Sequence, residues 1–398
     1  MGVRMKTTKI KALLATATAF GLAITAAQPA AAQTKIVLND IGGVTGSPAE
    51  LGFKIAASYW ESVLTNNVTL HFDVGFAKLG PNILGGASSN LYTNVGIDSY
   101  YGALAATGTS ALDASVLSHL APLSGSGSVS AIVPNYAQPA TLDGVAATGT
   151  RLTPDGKAIS NTMALSTANA QALGAAAAAV DGTIRFSSDF AFDFNPTDGI
   201  QAGTIDFVGV AIHEIGHTLG FLSGADDFDY SVGSGFKTDN YWWAYALDLF
   251  RYSGDGELNW AFDQPSYFSI DGGATAFQGD AYFSTGENNG DGWQASHWKA
   301  NNTCSNYVGV MNPYTCFGQM DEVTAADLAL MDAIGWNLNV DVLANGGYNF
   351  TTKEVAQAWI AAGGAVPEPE SWTMLILGFG AIGGMMRYRN RSRQVRFA

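Results

Sequence analysis

Residues 205–221 read "IDFVGVAIHEIGHTLGF", apolar on almost every side except at His213, Glu214 and His217. A helix apolar all round is a buried helix, and two imidazoles and a carboxylate buried without partners are costly. At 3.6 residues per turn, positions 213 and 217 stack on one face, so both rings reach a single ion at about 2.0–2.1 Å. Glu214 lies one step around the helix, close to such an ion but angled away from it. The spacing therefore predicts a zinc site in which Glu214 takes a proton from zinc-bound water and returns it to the leaving amine. Zinc lowers the pKa of its water to about 7, so no serine or cysteine nucleophile is needed. No G-x-S-x-G elbow competes with this chemistry.

A catalytic zinc site has three protein ligands and one open position, and this helix supplies two. "HEIGHTLGF" resembles the HExxHxxG signature of the metzincin peptidases, in which Gly220 would turn the chain after the helix. The common pattern puts a third ligand three residues after that glycine, where this chain has Ser223, a poor ligand. Two substitutes remain, Asp226 or Asp227 just beyond, and the distant His297. The segment "QASHWKANNTCSNYVGVMNPYTC", which carries His297, resembles leishmanolysin-type metzincins, where an insertion separates the second and third ligands. That resemblance implies His297 as third ligand, Met311 as the Met-turn methionine beneath the metal, and residues 323–336 as the closing helix. Tyr314 is a candidate donor to the developing oxyanion, against the simpler role of a packed tyrosine.

Around this centre the chain is expected to form an α+β, metzincin-like zincin fold: a twisted mixed sheet over the active-site helix, and a C-terminal lobe bearing the Met-turn. Residues 33–340 form the catalytic unit, with an insertion at about 225–293, followed by a linker over 341–366. Residues 36–39 read as a short strand. Ser47, Pro48 and Glu50 open a helix with a capping box, and residues 68–76 alternate as a strand. Residues 164–179, dominated by alanine, predict a helix, and 182–188 an exposed or edge strand. Residues 85–165 show little periodicity and are placed only as loops and short strands.

The ends have their own chemistry. Arg4, Lys6, Lys9 and Lys11 precede an uncharged run and a small-residue sequence, so residues 1–32 read as a signal peptide for signal peptidase. Near the other end, "PEPESWTMLILGFGAIGGMMRYRNR" resembles the PEP-CTERM sorting signal of Gram-negative bacteria, here over 367–393. It implies export, transient anchoring of a short transmembrane helix in the inner membrane, and removal by an exosortase-type enzyme. Between the ends remain 10 basic and 32 acidic residues, a net charge of −22, which argues against nucleic acid as a partner and leaves calcium open. The acidic clusters at Asp226, Asp227 and Asp229 and at Asp189, Asp193 and Asp198 are its candidate sites. Cys304 and Cys316, an even pair in an exported chain, are expected to join. The expected function is zinc-dependent hydrolysis of internal bonds in protein or peptide substrates. Its alternatives are a non-catalytic matrix or surface-associated protein of the same fold, or a zinc hydrolase of non-peptide amides.

Overall fold

The computed structural model describes residues 33–79, 84–301, 303–305 and 307–364; the signal-peptide and sorting segments lie outside them. Strand β1 (Lys35–Gly42) leads into helix α1 (Pro48–Val63), which buries Phe53, Ala56, Ala57, Trp60 and Val63 along one face. The expected capping box does not form. Glu50 reaches back to accept from the Gly46 N–H at 2.8 Å, but the Ser47 hydroxyl donates to the Val44 carbonyl instead of capping the helix. Strand β2 (Thr69–Ala77) alternates as expected, with Leu70, Phe72 and Val74 inside.

Strand β3 (Gly85–Ser89) and strand β4 (Gly182–Ser187) complete a four-stranded sheet in the order β1, β2, β4, β3. The first three run parallel and β3 is antiparallel at the edge. The expectation that residues 182–188 form an edge is thus corrected. Ile184 and Phe186 are fully buried, and the neighbour that covers β4, "GGASS", carries no strand pattern of its own. The alanine-rich expectation also fails. Residues Thr162–Ser166 pair as a strand with Leu91–Gly96, and helix follows only over Thr167–Ala172. Cross-strand pairing with a partner 70 residues away outweighs a propensity worth tenths of a kcal/mol per residue. The unplaced region proves structured, with helices at Ile97–Thr107 and Ala111–Ser118 and strands at Ala131–Pro134 and Thr150–Leu152.

Helix α2 (Phe207–Leu219) packs on α1 beneath the first sheet. Its Phe207 ring meets Phe53 and Phe186 edge-on at 5.1 and 5.0 Å, and the Trp60 indole donates to the Ile212 carbonyl at 3.1 Å. Helix α3 (Gly224–Tyr230) follows at once, and a six-stranded second sheet unites Ala131–Pro134 and Thr150–Leu152 with four strands between residues 251 and 283. Helix α4 (Ala325–Ala333) leads to Trp336, whose indole donates to the Leu219 carbonyl at the end of α2. The stretch expected as a linker belongs to the folded unit. Asn349–Thr351 pairs with Glu322–Thr324, and helix α5 (Thr352–Ala361), opened by a Thr351–Glu354 capping box, packs on α1 through buried Val355 and Ala356. The architecture is mixed α+β, with the long buried α2 between the first sheet and the C-terminal elements.

Candidate metal centre

Asp206 starts α2 by accepting the Gly209 N–H at 3.0 Å, and Gly220, at φ +120°, ends it in a conformation that side chains rarely adopt. Between them His213 and His217 project from one face, and His297 arrives from an irregular segment 80 residues later. Their Nε2 atoms converge, with separations of 3.1 Å (213 to 217), 3.2 Å (217 to 297) and 3.2 Å (297 to 213). Among the described residues this is the group of three or more His, Cys, Asp or Glu side chains placed to hold a metal ion.

Hydrogen bonding fixes the ring states. His213 Nδ1 faces the Val310 carbonyl at 2.7 Å, His217 Nδ1 the Phe221 carbonyl at 2.8 Å, and His297 Nδ1 the Gln294 carbonyl at 3.3 Å. A carbonyl only accepts, so each Nδ1 carries the hydrogen and each Nε2 presents a lone pair. Protonation offers no escape, because burial pushes His213 down to about 4, His217 to about 3 and His297 well below its usual value. Three lone pairs then face one another with no hydrogen between them, an arrangement that repels unless a Lewis acid fills it. A tetrahedral ion at 2.0–2.1 Å from each would set its ligand atoms about 3.3 Å apart, so the observed spacing fits one.

Glu214 stands outside the three-histidine group but shares a cavity with His213. Burial raises its carboxyl to about 8, opposed by a hydrogen bond from the Ala87 N–H of edge strand β3. Together with His213, Tyr307, Tyr314 and Asp321 it lines a cavity of about 80 Å³. A larger cavity of about 740 Å³, lined by Leu51, Phe192, Phe194 and Trp359, lies apart from these groups and holds no comparable cluster. Tyr314 lines the same cavity as His213, and its hydroxyl is engaged by Asn301 Oδ1 and the Thr303 carbonyl, both at 2.9 Å.

Met311 is fully buried against α2: a Cβ added at Gly216 would lie 2.6 Å from its sulfur. The segment bearing it is held by a residue that sequence reasoning missed. Asp327 of α4 accepts from Trp298 Nε1 at 2.8 Å, Val310 N at 3.0 Å, Met311 N at 3.2 Å and Thr324 N at 2.8 Å. One buried carboxylate thus ties the neighbour of His297 to the carbonyl that orients His213. Its only signal in the chain was the T-x-x-D spacing from Thr324, a capping pattern that says nothing of the other three donors. Cys304 and Cys316 are joined, closing the loop around Met311.

Asp226 and Asp227, weighed as alternative third ligands, lie outside the three-histidine group and are engaged elsewhere. Asp226 accepts the N–H groups of Ala295 and Ser296, and Asp227 accepts the Tyr245 hydroxyl. Asp229 accepts from the backbone of Asn288 and Asn289, Asp193 from Asn195 and Gln201, while Asp189 pairs with Lys78 at the surface. Ser223 donates to Asp248 and caps α3.

A family model described as the PEP-CTERM protein-sorting motif matches residues 365–391, two residues ahead of the expected bounds. The motif marks the chain for export in a Gram-negative bacterium, through the membrane to the surface or beyond, and implies processing by an exosortase-type enzyme. No helix of the described residues is long and apolar enough to cross a membrane; the apolar segment 371–386 lies outside them. No curated protein and no solved structure matches the chain.

Proposed function

We propose that the protein is an exported zinc-dependent endopeptidase of metzincin-like fold. The observation that carries this reading is the convergence of three Nε2 lone pairs on one point beside a buried carboxylic group. His213, His217 and His297 would hold the ion as neutral imidazoles, a donor set that suits zinc and leaves a position open. When bound, zinc supplies Lewis acidity that brings the deprotonation of water near neutral pH and polarises a carbonyl. Glu214 accepts the proton of the attacking water and delivers it to the leaving amine. Among the described residues strand β3 is the outer strand of the first sheet and lies beside Glu214, so an extended peptide could add along it as a further strand, and the cavity at Tyr307 and Asp321 could receive a side chain. The rival of a purely structural metal is disfavoured, because a closed site has four protein ligands and no base at hand.

The test is Glu214→Gln, which retains the three imidazoles and removes the proton acceptor. It should bind zinc at one equivalent and lose about 10²–10⁴-fold in kcat on a protein substrate. Near-normal turnover, or activity of the wild type undiminished by a chelator, rejects the mechanism.

A further inference from the structure

Two of the three histidines stand on a buried helix, but His297 sits in irregular chain and has the longest orienting hydrogen bond of the three, 3.3 Å against 2.7 and 2.8 Å. Something else must hold it. On its C-terminal side the chain is tied by the Ser284 N–H to the His297 carbonyl at 3.0 Å and by Trp298 N to the Met311 carbonyl at 3.0 Å. On its N-terminal side stands Asp226, buried at 8 % exposure. Its two oxygens take two consecutive peptide groups, Ala295 N on Oδ1 at 2.5 Å and Ser296 N on Oδ2 at 3.0 Å. The carbonyl of Ala295 is held from the other side by the guanidinium of Arg251, itself fully buried, at 3.4 Å. Peptide N–H and C=O groups just before His297 are therefore pinned by opposite charges.

We propose that Asp226 is a positioning residue that acts through His297, forking the two peptide groups before it so that the third imidazole meets the other two. This rests on the metal centre of the preceding subsection. It gives this aspartate a role distinct from the ligand and calcium donor weighed for it above, one in which each carboxylate oxygen holds a backbone donor. The amide of asparagine can accept from only one of the two N–H groups and turns its own N–H₂ on the other.

Cobalt(II) serves as probe on the chelator-stripped, purified exported protein, with affinity read by competition against a chromophoric chelator. Asp226→Asn should weaken binding about 10- to 100-fold, the usual effect of removing a partner that orients a ligand. Asp227→Asn, one residue on and bonded to Tyr245, should change affinity less than about twofold. His297→Ala should weaken binding further, and Asp226→Asn added to it should cause no additional loss, because a residue acting through His297 has nothing left to act on. Unchanged cobalt affinity in Asp226→Asn, or losses that multiply in the double variant, overturns the inference while leaving the metal centre standing. Wild-type protein that takes up no cobalt overturns both. Should Asp226→Asn fail to fold, Asp226→Glu keeps the anion opposite Arg251 and displaces the fork by one methylene; wild-type affinity in that variant is likewise fatal.

Discussion

Replacing Asp327 with asparagine removes a charge from a carboxylate that receives four N–H groups from three separate segments. Its Oδ1 serves Trp298 Nε1 and Met311 N, and its Oδ2 serves Val310 N and Thr324 N. An amide accepts on one side only, so whichever way the side chain is placed two buried N–H groups lose their acceptor. At about 1–3 kcal/mol for each stranded donor the loss is about 2–6 kcal/mol. Burial pushes the Asp327 carboxyl above its usual range, so the neutral amide recovers part of a desolvation cost. The net expectation is the lower part of that range, about 2–4 kcal/mol, a large share of the roughly 5–15 kcal/mol typical of a domain. Urea unfolding of the metal-free protein, fitted with a common m-value, measures it. A second effect must accompany the first: the Val310 carbonyl orients His213, so zinc affinity should fall as well. A midpoint shifted by less than about 0.5 kcal/mol, with wild-type zinc affinity, refutes the role assigned to this carboxylate.

The histidines set a pH dependence. His213 and His217 are held near 4 and 3 against about 6.5 in the unfolded chain, so between those values the unfolded state binds protons that the folded state refuses. Relative to His217→Gln, chelator-treated wild type should therefore lose stability as pH falls from 6.5 toward 4, by at most about 1.4 kcal/mol per unit; parallel curves for the two proteins would exclude it. In the native host, intact-mass measurement should find mature protein ending near residue 370, with the full motif retained in a host lacking the processing enzyme; exported protein ending at Ala398 contradicts this.

The parts legible in the chain are those whose chemistry is local or carried by a known motif. HExxH fixes its own geometry within one helical turn, and His297 stood out by its neighbours. Asp226 and Asp327 were not legible, because an acidic side chain looks the same whether it faces water or accepts a peptide N–H from a segment 69 or 16 residues away. Their role is a property of the assembled chain. Misplacement of β4 has a similar cause: Ile184 and Phe186 alternate with exposed Arg185 as an edge strand would, and the covering strand is glycine and serine. Helix α5, expected as part of a linker, was readable after all, since Thr351 and Glu354 form a capping box ahead of Val355, Ala356 and Trp359.

The spacing of the three imidazoles has a consequence for the order of events in time. α2 can bring His213 and His217 together as soon as it coils, whereas His297 joins them only after 80 residues of chain have closed and α3 and α4 have gripped both flanks of the loop. An ion that needs all three rings would bind partly assembled chains more weakly and would add its full stabilisation, about 4 kcal/mol at a thousandfold excess over Kd, only to finished ones. Metal occupancy would then act as a proofreader of tertiary assembly, separating completed molecules from those in which the helix alone has formed.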